Sequence, residues 1–327
     1  MAGDRDLGIA LVRAAPRFSH GGGTGWEMTA ATGVRGLRLL NETEAFASFT
    51  LTEANPEAYR TLSENVRRFP GARAVEGDAR AVPPDAPFDY VDLDPYGSPV
   101  PFASTALRSV RPGGVVAVTA TDMMVLAGAQ SGACLRRYGA RPVRGRLGPE
   151  GGLRILLAYL AREAEAGGRS IRTMLSYARD HYVRAYLEVR EGPQGPFPIE
   201  AVDPAKWTGP WLGDRGSVGP LWLGPLFDPA VVSELKVPEG AARPKEVAGF
   251  IERVREEAAV DRPFYFEPNV LAAHLHLAQP PSLRAISEGL RALGFRVART
   301  HARPEGFRTD APRVEVERLV RRLAPSA

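Results

Sequence analysis

The chain has 327 residues, 44% hydrophobic and 24% charged, a globular mix with ample length for one or two cores and unlike a disordered or collagen-like chain. A single cysteine, Cys134, excludes a disulfide framework and a cysteine-based zinc knuckle. No 18 apolar residues run together and the first residues, Met1 to Asp6, carry no signal-like stretch, so a soluble cytoplasmic protein without membrane contact, monomeric by default, is expected. The net charge is only +4.

The first half alternates strand and helix patterns, which predicts a parallel sheet with crossover helices. A strand is expected from Phe49 into Glu53, then a helix opened by Pro56 and running to about Phe69. A second strand runs from Ala72 to Asp78 and a third from Phe88 to Asp94, each ending at an acid. A helix at Pro101–Val110 is closed by Pro112-Gly113-Gly114, and Val115–Thr119 is a buried strand. Gly151 to Glu165 is amphipathic, with Leu153, Leu156, Leu157 and Leu160 on one face. Thr173–Tyr177 and Tyr182–Val189 read as a closing strand pair. The stretch 191–225 is dense in Pro, Gly and Trp and reads as a linker or irregular insertion. Helices at Lys245–Ala259, Asn269–Leu277 and Ser282–Leu293 and a strand at Phe295–Thr300 follow. The division expected is an α/β domain over 1–190 and a smaller α+β C-terminal domain over 191–327, joined by an irregular connection over 191–240.

The segment Glu27 to Gly36 is a glycine-rich loop placed to bind a nucleotide. Small residues at Thr29, Ala31, Gly33 and Gly36 let backbone approach a ligand. Glu53, about 20 residues on, is placed for ribose hydroxyls. A pyrophosphate would be repelled by acids at the end of every neighbouring strand, whereas the sulfonium of an S-adenosylmethionine-type methyl donor would be attracted. A nicotinamide dehydrogenase is therefore the weakest reading. Each acid taken singly could also be a helix cap.

Asp94-Pro95-Tyr96-Gly97 at the end of a buried strand is the most specific local feature. An amine on a purine or pyrimidine ring is a poor nucleophile because its lone pair is delocalised. A carboxylate and a backbone carbonyl that accept its hydrogens would turn that lone pair toward a methyl group. Asp94 is then hydrogen-bond and proton acceptor, Pro95 fixes the backbone without a competing N–H, and Tyr96 stacks on the base. A plain Asp-Pro-x-Gly turn is the structural alternative.

Charge is segregated. Only Lys206, Lys236 and Lys245 are lysines, leaving 39 arginines, and the windows 136–172 and 284–327 carry net charges of +6 and +5 on an otherwise acidic chain. Two basic blocks suggest a polyanionic partner. Arg136 and Arg137 open the first block; Arg299, His301, Arg303 and Arg308 lie in the second and read as phosphate contacts.

Taken together, these segments resemble the tRNA (guanine-26-N2)-dimethyltransferase family. The likeness runs through Arg5-Asp6-Leu7, Ala31 to Gly36, Glu53 to Pro56, Gly77-Asp78-Ala79, Asp92 to Pro99, Val118 to Asp122, Cys134 to Pro142, Gly152 to Ile155 and Leu175 to Arg184. It continues at Gly219 to Gly224, Pro280 to Leu283, Arg299 to His301 and Arg308 to Pro312, nearly the whole chain in order. The resemblance implies a class I, Rossmann-like methyltransferase that moves one or two methyl groups from S-adenosyl-L-methionine to N2 of a guanosine in tRNA. It implies that Arg5 and Arg35 meet the methyl donor's carboxylate or frame its pocket, beside Glu27 and Gly33. Glu53 would take the ribose, and Asp78 with the Ala79 N–H the adenine edge. Asp94 matches the catalytic acid and Tyr96 the stacking aromatic. Two other classes stay open: a methyltransferase for another base amine, and a non-catalytic tRNA-binding protein.

The chain departs from the family pattern in places. The family's Phe-Tyr-Asn-Pro type stretch ahead of the Arg-Asp-Leu segment is missing, leaving either a true start further upstream or another aromatic, Phe18, over the methyl donor. Asp4 stands where Asn is usual and Tyr96 where Phe is usual. Many members carry two Cys-x-x-Cys pairs before the Gly-Pro-Leu-Trp segment; Pro198 to Gly216 has none, so no metal is expected and Trp207 and Trp211 pack there instead. His181, His274, His276 and Cys134 receive no chemical role.

Overall fold

The computed structural model describes residues 2–80, 87–193, 195–213, 216–260 and 262–324. Its centre is a seven-stranded sheet in the order β3-β2-β1-β4-β5-β7-β6. The strands are β1 (Gly23–Glu27), β2 (Phe46–Glu53), β3 (Ala72–Glu76), β4 (Phe88–Leu93), β5 (Val110–Ala120), β6 (Arg169–Arg179) and β7 (Tyr182–Glu191). The first five are parallel, and β7 runs antiparallel between β5 and β6. Chain order reverses between β1 and β4, and the carboxyl ends of strands at such a switch point form a crevice.

Helices cover the sheet: α1 (Ala2–Ala14), α2 (Val34–Glu42), α3 (Pro56–Val66), α4 (Val100–Arg108), α5 (Met123–Leu126), α6 (Ser131–Tyr138) and α7 (Gly148–Ala166). α3 begins where Asn55 caps two backbone N–H groups and Pro56 fills the first turn. α7 is buried on more than its leucine face: Glu150, Gly151, Gly152 and Arg154 are covered as well. That burial sets it apart from the amphipathic surface helix that its leucines suggest.

The stretch expected to be irregular holds an antiparallel pair, β8 (Ile199–Val202) and β9 (Val218–Trp222), packed against α7. The Arg154 guanidinium donates to the carbonyls of Trp222 and Gly224, tying the pair down. Beyond it lie α8 (Pro229–Glu234), α9 (Pro244–Ala258), α10 (Pro268–His274), α11 (Leu283–Ala292), β10 (Val297–Arg299), β11 (Phe307–Thr309) and α12 (Arg313–Leu323). One hydrophobic core runs continuously from Leu7 to Tyr265, so α8 and α9 pack on the sheet domain. A second, small core of Phe266, Leu271, Ile286, Leu290, Phe307, Val316 and Leu319 belongs to the last helices.

The two cores meet at a buried ion cluster. Arg308 donates to both oxygens of Glu150, to Glu257, and to the Arg262 and Phe264 carbonyls. Its side chain is 2% exposed. The expected phosphate contact at Arg308 is therefore corrected: the side chain is buried and each of its three guanidinium nitrogens donates to an internal acceptor. His301 is corrected for the same reason, since its ring is buried against Glu257, with Nδ1 2.6 Å from Oε2. Arg299 is exposed but bound to Glu252 and Glu256, which cancel its field. Arg303 is half-buried beside the Tyr265 hydroxyl. Arg136 and Arg137, on α6, are exposed, with Arg137 3.2 Å from Asp122.

Candidate active site

Four acids stand in a row at the carboxyl ends of adjacent parallel strands: Asp78 beyond β3, Glu53 ending β2, Glu27 ending β1 and Asp94 just after β4. The strand-end placement read from sequence is what the sheet order brings together. Glu53 accepts from the Ala31 N–H at 2.7 Å and the Asn55 N–H at 2.8 Å, which fixes its carboxylate across the mouth of the loop. Asp78 is partly exposed and bound to Arg80 at 2.5 Å, and Ala79 is buried.

Two glycines in the loop are demanded by the protein's own packing, a reason beyond the room for ligand approach expected from the sequence. Gly33 caps α2 at φ 78°, and a Cβ there would lie 2.5 Å from Leu62 and 2.9 Å from Leu51. A Cβ on Gly36 would lie 2.9 Å from both Glu27 and the Phe49 ring. Its absence lets the Gly36 N–H donate to Glu27 Oε2 at 2.9 Å.

Arg35 is the hub of the site. Buried in the first turn of α2, it reaches Asp4 at 3.1 Å, Asp92 at 3.6 Å and Asp94 at 2.5 Å. Behind it Arg184, on β7, donates to Asp92 at 2.6 Å and to the Thr119 hydroxyl at 2.5 Å, with both charged partners fully buried. Tyr177 and Tyr182 donate to Asp4. Burial alone would push the Asp4 carboxyl up, but Arg35 and Arg184 outweigh it and hold it below its ordinary value. Of the two roles that the resemblance gives Arg35, the geometry supports framing the pocket, because three carboxylates already surround its guanidinium. Arg5, one residue from Asp4 on α1, is half-buried and makes no side-chain hydrogen bond or ion pair among the described residues.

Glu27 completes the cluster. Burial, reinforced by Asp92 and only partly offset by Arg35, pushes its carboxyl up to about 8. With Glu27 protonated, Asp4, Asp92 and Asp94 face two guanidiniums and leave one net negative charge, which a single sulfonium balances. Thr29 Oγ1 is buried in the same loop without a hydrogen-bond partner among the described residues. These two observations show that the residues present fit an S-adenosylmethionine-type methyl donor.

The Asp94 loop is held from below. The Gly97 N–H donates to Thr121 Oγ1 at 2.8 Å, and Ser98 shares a 2.8 Å hydrogen bond with the Tyr138 hydroxyl, itself bound to Asp122. Pro95 is buried whereas Tyr96 is fully exposed at the tip, its ring open to whatever docks there. Phe18 lies in the core against Phe46 and Tyr90, with ring centroids 5.2 and 6.3 Å away. It does not cover the methyl donor. Trp207 packs edge-on to Phe264, Cys134 is buried with its thiol pushed up to about 12 by burial and Asp122, and among the described residues no group of His, Cys, Asp or Glu forms a metal site.

Asp92 and Arg184 were not singled out from sequence as site residues. An arginine amid Tyr182–Val189 reads as a residue on the solvent side of an edge strand, and its partner lies 92 positions away. The only available signal was that Arg184 and Asp92 both fall inside apolar strand patterns, where a solvated charge has no place.

The described architecture has close relatives. The family model for N2,N2-dimethylguanosine tRNA methyltransferases matches residues 1–196 and 212–321. The tRNA (guanine(26)-N(2))-dimethyltransferase of Thermococcus kodakarensis is 38% identical over 313 residues, covering 86% of this chain and 82% of the relative. The enzyme of the same name from Pyrococcus abyssi is 33% identical, covering 95% and 89%. The solved structure of Trm1 from Pyrococcus horikoshii in complex with S-adenosyl-L-methionine superposes with a TM-score of 0.85 at 29% identity, covering 98% of this chain and 93% of that one. With a family model spanning most of its length and the class I methyltransferase sheet in place, the chain belongs to the N2,N2-dimethylguanosine tRNA methyltransferase family.

Proposed function

We propose that Asp94 holds the N2 amine of a tRNA guanosine, most specifically guanosine 26, in line with the methyl group and accepts its proton. The enzyme is an S-adenosylmethionine-dependent tRNA (guanine-N2)-methyltransferase. The observation that carries the residue assignment is the Asp94 carboxylate at the switch point, half-covered and held by Arg35 at 2.5 Å.

S-adenosyl-L-methionine supplies an electrophilic methyl group on a positively charged sulfur. Arg5, uncommitted on α1, takes its carboxylate; Glu27 and Gly33 line its tail; Glu53 takes the ribose hydroxyls; Asp78 and the Ala79 N–H take the adenine edge. Arg35 keeps one oxygen of Asp94 occupied and its charge in place, leaving the other to accept an N2–H. Buried Pro95 fixes the turn, and Tyr96 stacks on the guanine once the nucleoside has left its helix. As the nitrogen–methyl bond forms and the methyl–sulfur bond breaks, N2 sheds a proton to Asp94. The monomethylated amine retains one N–H, so the same acceptor serves a second round.

The N-terminal unit, 1–190, is the catalytic domain in this reading, and 191–327 is the tRNA-binding domain. Arg136, Arg137 and Arg303 remain as phosphate contacts. The protein is taken to work in the cytoplasm as a monomer without a metal; among the described residues no helix is long and apolar enough to cross a membrane. The test is methyl transfer from labelled S-adenosylmethionine to unmodified tRNA, with nucleoside mass spectrometry. N2-methylguanosine or its dimethyl form, lost when guanosine 26 is replaced by adenosine, is expected; methylation of another base, or of that variant tRNA to the same extent, would overturn the assignment.

A further inference from the structure

A groove separate from the four strand-end acids runs along the junction of the two cores. It begins at α6, whose Leu135 is 50% exposed, and opens into a cavity of about 590 Å³ lined by Leu135, Arg141 and Arg144. Through Arg144 it continues into a second cavity of about 370 Å³ lined by Arg144, Arg146, Trp211 and His274. The three arginines are exposed. Arg141 makes no side-chain bond among the described residues, while Arg144 is steadied by Ser131 at 2.7 Å. Backbone bonds of 2.8 and 2.7 Å between Arg141 and Gly219 pin the first cation to β9. Arg146 pairs with the buried carboxylate of Glu267 yet remains more than half exposed. Among the described residues lining the two cavities, three guanidiniums face one carboxylate, a net positive charge.

At the far end the Trp211 and His274 rings lie 3.9 Å apart at 37°, and the Arg313 guanidinium sits 5.4 Å from the Trp211 ring. Cations strung along a groove that ends at an aromatic platform match a nucleic-acid strand with at least one unstacked base. The near end adjoins the catalytic loop: α6 ends at Tyr138, whose hydroxyl bonds Ser98, four residues after Asp94. A strand whose target nucleoside sits at Asp94 is thereby led over α6 into the groove.

We infer that this groove is a second tRNA subsite, in which Arg141, Arg144 and Arg146 bind consecutive phosphates and the Trp211–His274 pair receives an unpaired base. The inference rests on the tRNA methyltransferase reading above and adds where the RNA beyond the target nucleoside lies. It also replaces Arg308 and His301, which the fold withdraws from the surface, with cations that face solvent.

The test uses the full chain and an unmodified tRNA transcript, with the tRNA KM and the salt dependence of Kd measured for wild type, Arg141→Glu/Arg144→Glu and Trp211→Ala. The double variant should raise KM at least about tenfold and reduce the slope of log Kd against log salt by about 1.4–1.8, two contacts at 0.7–0.9 each. Trp211→Ala should weaken binding about 5- to 150-fold, the range of one lost base stack, and Trp211→Phe should recover most of it. Affinity for S-adenosylmethionine, measured in parallel, reports on folding of the sheet domain. An unchanged KM and slope in the double variant, with wild type methylating tRNA, would overturn the groove alone. A wild type that neither binds nor methylates tRNA would overturn the function reading with it. An unchanged affinity in Trp211→Ala would refute the base platform.

Discussion

Arg308→Met is the sharpest perturbation of the junction between the two cores. The guanidinium bonds both carboxylates of the cluster, Glu150 at 2.7 and 3.0 Å and Glu257 through Nε, and two backbone carbonyls at 2.8 and 2.9 Å. Removing it leaves Glu150 with Arg154 and the Phe264 N–H, each at 2.8 Å, and Glu257 with Thr300 and His301, but takes away the shared positive charge. Breaking a buried pair by deleting one member costs about 3–5 kcal/mol, because the partner stays buried without its counter-charge. That is a large share of a total stability of about 5–15 kcal/mol. Urea unfolding should show the loss directly, while the folded variant keeps the salt slope of its tRNA binding. The acid limb gives a second reading. Burial pushes the Glu150 and Glu257 carboxyls up, yet Arg308, with Arg154 at the first and His301 at the second, holds both below the ordinary carboxylate value. A depressed carboxylate stabilises fully above its unfolded pKa and loses that contribution as pH falls through the folded one. Wild type should therefore weaken progressively below about pH 4, and the variant over a smaller span. A destabilisation below about 1 kcal/mol together with a flattened salt slope would refute the buried cluster and return Arg308 to the RNA surface.

Other perturbations follow from the site. Glu27, raised to about 8 in the folded protein, keeps its proton where the unfolded chain has lost it, so stability of the donor-free enzyme should fall as pH rises from about 4.5 to about 8 and level off above. Glu27→Gln should abolish that slope in pH-dependent unfolding, and an unaltered slope would contradict the assignment. Arg184→Met takes from buried Asp92 its nearer counter-charge, leaving Arg35 at 3.6 Å and the Tyr90 hydroxyl at 2.6 Å, and should cost up to about 3–5 kcal/mol in thermal unfolding, with Asp92→Asn in the same chain recovering much of it. Gly33→Ala places a methyl 2.5 Å from Leu62 at a positive φ and should cost about 1–3 kcal/mol; a neutral melting temperature would contradict the α2 cap geometry.

The alternating strand and helix patterns of the first half made the sheet legible because strand-end acids and Pro-opened helices are local signals. Glu53, Asp78 and Asp94 could be read from position alone, since each follows an apolar run. What joins them could not: Arg35 meets Asp94 59 positions away, and Arg184 meets Asp92 across 92. Arg35 and Asp94 each had a role in sequence but no sign of the other, and Arg184 and Asp92 look like ordinary surface charges until the fold buries them. The basic C-terminal block misled for the same reason. Arg308 and His301 count as positive charge in a window, but Glu150, 158 residues from Arg308, neutralises it in space. Helix α1 and the β8–β9 pair lack strong periodicity or turn signals and take their form from the cores they cover, whereas α12 carries a helical apolar face at Val316, Leu319, Val320 and Leu323 that the sequence expectations, which stop at the preceding strand, pass over.

The account stands on Asp94 as the acceptor at the guanosine amine, and single-turnover methyl transfer by Asp94→Asn, with tRNA and S-adenosylmethionine bound to saturation, tests it most directly. Arg35 retains Asp4 at 3.1 Å and Asp92 at 3.6 Å in that variant, so folding and tRNA affinity should persist. The rate constant should fall about 10²–10⁴-fold, the usual worth of a positioned proton acceptor. A rate within a few-fold of wild type at unchanged tRNA affinity would contradict it.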